Sequence, residues 1–139
     1  MKKQLRLLLT ITMVLVALSF SCTDHDIPEK IELKTLPIFS NPNQLKCSIV
    51  FALNVIKLGE LPVKEYGAVY SANFDGHALL TATPTIENNL KVIFDLPVTA
   101  GYKQKIGPQL CTNNIYYRAY AILIDDSIVY GDIIHFRVD

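Results

Sequence analysis

A chain of 139 residues, half of them hydrophobic, has room for one domain with a sizeable core. Its formal charge of zero combines a basic start with a mildly acidic remainder. Without Lys2, Lys3 and Arg6, ten of the 13 basic residues face 13 acidic ones. This mildly acidic part of the chain lacks the cluster of basic residues that binds a phosphate backbone, so nucleic acid is not expected as a partner.

The first 21 residues have the three parts of a secretory signal peptide. Residues 1–6 are basic, an almost unbroken apolar run extends from Leu7 to Leu18, and small Ser21 precedes Cys22. The run is shorter than the ~20 apolar residues that a membrane-spanning helix needs. We therefore predict a signal peptide over residues 1–21. A signal peptide followed by an incidental cysteine, or a single membrane anchor, is the alternative.

The stretch Leu18-Ser19-Phe20-Ser21-Cys22 resembles the lipobox of bacterial lipoproteins, with its leucine one place earlier than usual. The resemblance implies cleavage before Cys22 and a lipid on its sulfur. Several acyl chains, at about 0.8 kcal/mol per buried methylene, would hold the chain durably on a membrane. Residues 22–29 then form a polar tether, whose acidic start resembles the surface-export signals of Bacteroidota lipoproteins. The expected location is the outer membrane, in its periplasmic or surface leaflet.

Residues 30–139 consist of short apolar segments separated by turn residues, and we predict a single all-β sandwich domain there. The predicted strands are 30–36, 46–58, 65–71, 77–83, 90–96, 102–106 and a long hairpin over 113–138, which is broken at Asp125-Asp126-Ser127. A helix is conceivable at 47–56. The Val and Ile content of that stretch and the Gly59-Glu60-Leu61-Pro62 turn favour a buried strand.

Four motifs in order resemble the fibronectin type III-like domains common in Bacteroidota lipoproteins. They are Glu65-Tyr66-Gly67-Ala68-Val69-Tyr70-Ser71, then Leu110, then Tyr116-Tyr117-Arg118-Ala119-Tyr120-Ala121, and finally Val129-Tyr130-Gly131-Asp132 with Phe136. The resemblance implies an immunoglobulin-like antiparallel sandwich of seven to eight strands, with strands at 78–83 and 128–138 and an extra edge strand at 90–96. The link Cys111-Thr112-Asn113-Asn114 lacks the usual proline. Ile115 stands where a tyrosine is often seen, so a corner held by a tyrosine hydroxyl requires Tyr116 or Tyr117 in that role.

Strand alternation divides the segment 115–124 into two faces. We predict that Ile115, Tyr117, Ala119 and Ala121 enter the core together with Ile134, Phe136 and Val138. The opposite face is a candidate binding surface, because tyrosine and arginine are favoured at binding hot spots; it comprises Tyr116, Arg118, Tyr120, His135 and Arg137. The favoured alternative is cross-strand packing, in which Arg118 lies over tyrosine rings for about 0.5–1 kcal/mol.

The fibronectin-like arrangement also implies that Cys47 and Cys111 lie at the same end of the sandwich. A disulfide between them would close a long loop and contribute roughly 4 kcal/mol, and an exported protein permits it. Disulfide geometry is strict, however, so two buried free thiols are the favoured alternative.

The sequence contains no motif for catalysis, metal or cofactor binding. Ser-His-Asp, Cys-His and paired-carboxylate constellations are not visible, and Gly-rich phosphate loops are absent. His25, His77 and His135 lie at no metal-ligand spacing. Asp125-Asp126 with Asp132 is interpreted as a solvated turn rather than a calcium site.

These patterns predict a non-enzymatic, lipid-anchored module with a binding or structural, adhesion-type surface. Its expected partners are the membrane, through the lipid, and a protein or glycan at the cell surface. One alternative is an accessory subunit of a glycan-uptake or pilus assembly that pairs through a strand edge. The other is an enzyme with a dispersed site, which would require a deep pocket with convergent polar groups.

Overall fold

The structure, a computed structural model, describes residues 27–40, 48–72, 80–109, 112 and 114–137. Within these ranges the chain forms strands and no helix, which confirms the all-β prediction. The strands are β1 (Glu32–Ser40), β2 (Ser48–Lys57), β3 (Val63–Ala72), β4 (Leu90–Ile93), β5 (Gly101–Gln109), β6 (Asn114–Leu123), β7 (Ile128–Tyr130) and β8 (Ile134–Arg137).

The strands form two antiparallel sheets that pack as a β-sandwich. The order in the three-stranded sheet is β1-β2-β5. The order in the five-stranded sheet is β4-β3-β6-β7, and β8 also pairs with β6. The longest ladder of the second sheet joins β3 and β6, from Val63 opposite Leu123 to Ala72 opposite Ile115. The predicted strand at 47–56 is present as β2, so the helical alternative is excluded.

The core lies between the sheets and is built from alternating positions of the central strands β2, β3 and β6. Alternation places the predicted face of β6 inside: its members, Ile115, Tyr117, Ala119 and Ala121, are all buried. Ile134 and Phe136 of β8 are partly buried and pack against the same cluster. Val138 lies outside the described residues. The predicted core face of β6 is therefore confirmed.

Tyr117 joins the two sheets through its hydroxyl group. The hydroxyl accepts a hydrogen bond from the backbone N–H of Ile38 at 2.9 Å and donates one to the carbonyl of Leu36 at 3.0 Å. The register of β1 shifts between Leu36 and Phe39, so Ile38 lies where the ladder with β2 is irregular. Tyr116 and Tyr117 were the two candidates for a tyrosine hydroxyl that holds a corner of the sandwich. Tyr117 is the one that bonds to the other sheet in this way.

The strand predicted over 128–138 is interrupted between β7 and β8, where a side chain of β1 lies between them. The hydroxyl of Thr35 reaches into the gap and accepts a hydrogen bond from the backbone N–H of Ala119 at 2.9 Å. Gly131 donates its own N–H to the Ala119 carbonyl at 3.0 Å. A Cβ at Gly131 would stand 2.8 Å from the Thr35 hydroxyl oxygen, so the close approach requires glycine.

Two other predicted segments differ from the structure. Residues 80–83 of the segment predicted at 78–83 form no strand; the backbone N–H of Thr81 bonds instead to the side-chain hydroxyl of Ser71 on the five-stranded sheet. The edge strand predicted at 90–96 ends at Ile93 as β4. After it, the chain leaves this sheet and crosses to β5 in the other one, which limits how far β4 can extend.

The predicted signal peptide and Cys22 lie outside the described residues, as do Cys47 and Cys111. Within the described ranges, no helix is long and apolar enough to cross a bilayer.

Candidate binding surfaces

The face of the five-stranded sheet that points away from the core, here called the outer face, is partly covered by residues 80–89, the covering segment. Its first bond runs from the backbone N–H of Thr81 to the hydroxyl of Ser71 on β3, at 2.8 Å. Its second runs from the N–H of Ile86 to the hydroxyl of Tyr130 on β7, at 3.1 Å. The covering segment therefore reaches across the sheet from β3 to β7.

Arg118 of β6 binds the middle of the covering segment. Its Nε donates a hydrogen bond of 2.6 Å to the carbonyl of Pro84, a buried residue. Its guanidinium carbon lies 3.5 Å from the centre of the Tyr130 ring, a cation–π distance. Packing of Arg118 over a tyrosine ring is the alternative that we favoured from the sequence. The guanidinium is thus engaged within the fold.

Tyr120 is fully buried, with an exposed fraction of 0%. The expectation that it stands exposed on the outer face is therefore wrong. Its hydroxyl donates a hydrogen bond of 2.7 Å to Oε1 of Glu65, and Lys91 pairs with the same oxygen at 2.7 Å. The Lys91 ammonium lies 5.9 Å from the centre of the Tyr120 ring. The side chains of β3 and β4 cover this ring.

This triad of Tyr120, Glu65 and Lys91 shifts two pKa values in opposite directions. Burial raises the pKa of Tyr120, and the bond to Glu65 and its negative charge raise it further. Burial alone would raise the pKa of Glu65, but the hydrogen bonds from Lys91 and Tyr120 and the Lys91 charge outweigh it and lower that pKa. At neutral pH the triad is therefore a neutral phenol bonded to a carboxylate–ammonium pair.

The remaining three residues of the predicted face lie at the end of the outer face where β8 pairs with the start of β6. The rings of Tyr116 and His135 stack in parallel, with centroids 4.1 Å apart and planes 6° apart. Nε2 of His135 lies 2.6 Å from Oδ1 of Asn114. His135 and Arg137 are exposed and Tyr116 is half-buried. The structure thus leaves part of the predicted face accessible, around an aromatic stack.

A cavity of about 200 Å³, which sequence reasoning did not indicate, lies beside the loop between β4 and β5. Two lysines and one aspartate line it: Lys105 pairs with Asp95 at 2.8 Å, and the Lys103 ammonium donates to the Thr99 hydroxyl at 2.5 Å. Ligand pockets usually have volumes of ~300–1,000 Å³. The cavity is below that range, so it has room for a small group at most.

Neither the cysteines nor the carboxylates add a site in the part of the chain that the structure describes. Cys22, Cys47 and Cys111 lie outside it, so lipidation and the disulfide stay predictions. In the described ranges, no three His, Cys, Asp or Glu side chains come close enough together to hold a metal ion.

Fold and surfaces together define a β-sandwich protein with two antiparallel sheets. Comparison of the chain with protein-family models, with curated proteins and with solved structures finds no match.

Proposed function

We propose that the chain is a non-enzymatic, lipid-anchored binding module whose sandwich is organised like a fibronectin type III domain. The observation that carries the proposal is the strand order, β1-β2-β5 against β4-β3-β6-β7 with β8. Two open antiparallel sheets in this order support a sandwich of that kind.

The structural roles of the motif residues also support this organisation. Both tyrosines of the first motif, Tyr66 and Tyr70, are buried, and Gly67 allows β4 to approach closely. Tyr117 bonds to the opposite sheet, and Gly131 makes room for Thr35. Residues that serve packing in this way are expected to recur wherever the fold recurs. Binding is then the task of exposed residues around them.

The surface that suits binding best is the end of the outer face at Tyr116, His135 and Arg137. It combines the stacked phenol and imidazole rings of Tyr116 and His135 with the guanidinium of Arg137, and such groups provide both apolar contact and hydrogen bonds. Arg118 and Tyr120 are buried or covered by neighbouring segments and bond within the fold. A carboxylate-bearing protein or glycan fits this surface.

The anchor is tested by fractionating cells that produce the full chain or Cys22→Ala, followed by mass spectrometry of the mature N-terminus. The proposal expects a diacyl- or triacyl-modified Cys22 in the wild type. Cys22→Ala is expected either to keep its signal peptide or, where the peptide is cleaved, to leave the membrane. A variant that stays membrane-bound after normal cleavage would contradict the anchor.

Binding is tested by crosslinking the surface-labelled wild type in its own cells and identifying the recovered partner. His135→Ala with Arg137→Ala is expected to reduce recovery of that partner, whereas Lys34→Ala, an exposed change on the other sheet, leaves it unchanged. Equal recovery with all three chains would remove this surface from the proposal.

A second candidate, an accessory subunit of a larger surface assembly, is favoured by β5. Within the described residues this nine-residue strand pairs only with β2, so its other edge is open. Tyr102 and Ile106 are exposed along it. An open edge accepts a partner strand. For this role, Ile106→Lys is expected to reduce partner recovery more than Ile133→Lys does, and equal effects would exclude pairing at β5.

A further inference from the structure

Four large, exposed apolar side chains lie at one end of the sandwich, here called the base. Ile27 precedes β1, Ile56 lies next to the last residue of β2, Leu58 follows β2 and Ile124 follows β6. Isolated exposed apolar residues are ordinary, whereas several at one end of a small domain indicate a contact surface.

Backbone contacts hold these positions together. The start of β1 pairs with the end of β2, and the backbone N–H of Glu60 donates to the Glu29 carbonyl at 2.9 Å. On the other sheet, the N–H of Ile124 donates to the Pro62 carbonyl at 2.9 Å. The turn after β2, the entry into β1 and the turn after β6 are therefore neighbours, and the apolar residues that they carry belong to one surface.

Two ion pairs lie among the apolar side chains of the base. Lys57 forms an ion pair with Glu29. Lys64 pairs with Asp126 at 2.6 Å. Glu60 and Asp125 are exposed beside these pairs, so the base keeps some negative charge. Apolar side chains without an excess of positive charge suit a zwitterionic partner, such as the headgroup layer of a phosphatidylcholine membrane.

The chain between Cys22 and Ile27 fixes how far the base can lie from the proposed lipid. Five residue steps span at most ~18 Å when fully extended. The opposite end of the sandwich is farther away, because the ten residues of β2 add ~33 Å at about 3.3 Å per residue. With a lipid on Cys22, the base is the end of the domain that faces the membrane.

We infer that the base docks on the lipid surface, with Ile27, Leu58 and Ile124 inserted among the headgroups. The inference rests on the proposed anchor at Cys22 and goes beyond it: the lipid alone leaves the domain free to tumble, whereas a docked base fixes its orientation. The Tyr116–His135 end, at the starts rather than the ends of the long strands β2 and β6, then points away from the membrane.

A single tryptophan reports on this docking, since the chain contains none. The test compares Ile124→Trp with Ile106→Trp, because both isoleucines are 53% exposed but Ile106 pairs with Val50 towards the opposite end. Each lipidated chain is placed in phosphatidylcholine vesicles that carry bromines in the upper acyl chain. Docked residues lie ~5–10 Å into the interface, within reach of these bromines.

We expect bromine quenching and a blue-shifted emission for Ile124→Trp, and neither for Ile106→Trp. High salt should leave the difference unchanged. A second matched pair, Leu58→Trp and Ile133→Trp with exposed fractions of 41% and 42%, covers the case in which one variant fails to fold.

The outcomes separate the inference from the anchor. If the chains float with the vesicles but both tryptophans of a pair are quenched equally, or neither is, the anchor stands and docking is overturned. If the chains do not float, the anchor itself fails. A blue shift at position 124 without bromine quenching would assign the base to contact with a second protein copy, which also overturns lipid docking.

Discussion

The hydroxyl of Tyr117 offers the sharpest test of how the two sheets are held together. Tyr117→Phe removes one oxygen atom and keeps the ring, which packs edge-on against Phe51 with centroids 5.7 Å apart. The change deletes both hydrogen bonds to β1, from Ile38 and to Leu36. Any loss of stability therefore reports on those two bonds rather than on a cavity.

The expected loss of stability depends on whether the N–H of Ile38 and the carbonyl of Leu36 find other partners once the hydroxyl is gone. A hydrogen bond contributes about 1 kcal/mol net, and a buried group without a partner costs about 1–3 kcal/mol. Ile38 lies at the irregular part of the ladder, so its N–H loses its partner. We expect Tyr117→Phe to lower the free energy of unfolding by about 2–4 kcal/mol.

The same hydroxyl makes this loss depend on pH. Burial raises the pKa of Tyr117 from 10.0 to about 12, although the bond from Ile38 opposes the rise. The folded protein thus holds the proton more tightly than the unfolded chain. The protonated Tyr117 hydroxyl makes its full contribution to the free energy of unfolding below about pH 10. That contribution is lost as the pH rises towards 12, at about 1.4 kcal/mol per pH unit.

Urea unfolding at about pH 9 and pH 11, followed by far-ultraviolet circular dichroism, measures both effects. The stability gap between wild type and Tyr117→Phe should narrow by about 1.4 kcal/mol between these pH values. Tyr116→Phe is the control, because that hydroxyl makes neither bond to β1; it should cost less than about 0.5 kcal/mol. A gap that stays constant with pH, or equal costs for the two variants, would refute the reasoning.

Three further changes probe the outer face and its edge. Gly67→Ala would place a Cβ 2.0 Å from a backbone oxygen of β4, so we expect the strand to shift and urea unfolding to show a loss of about 1–3 kcal/mol. Arg118→Lys removes the planar group that stacks on Tyr130; it should cost about 1 kcal/mol and speed amide exchange in the covering segment, and unchanged exchange would contradict that role. The pKa of Glu65 is lowered on balance, so its carboxylate stabilises the fold above its ordinary pKa and this contribution disappears as the pH falls through the lowered value. Acid titration should therefore destabilise wild type more than Glu65→Gln, and parallel curves would count against the triad.

Side chains alternate between the two faces of a strand, and this alternation explains which features of the fold could be predicted from short stretches of sequence. Val and Ile content identified β2, whereas alternation identified β5 and separated the core face of β6, including Tyr117, from the outer face. It could not tell whether the outer face meets water. The burial of Tyr120 depends on Glu65 and Lys91, which belong to neighbouring strands.

The composition and alternation of the chain by themselves determined an all-β sandwich and most of its strands, because local side-chain pattern decides which face of a strand can be buried. Only the tertiary structure decided where the last strand breaks and what covers the outer face. Thr35 and Ala119 are 84 positions apart, and Arg118 and Pro84 are 34 apart. Such contacts form only when the two sheets have packed and the covering segment has crossed the five-stranded sheet, so no local pattern in the sequence encodes them.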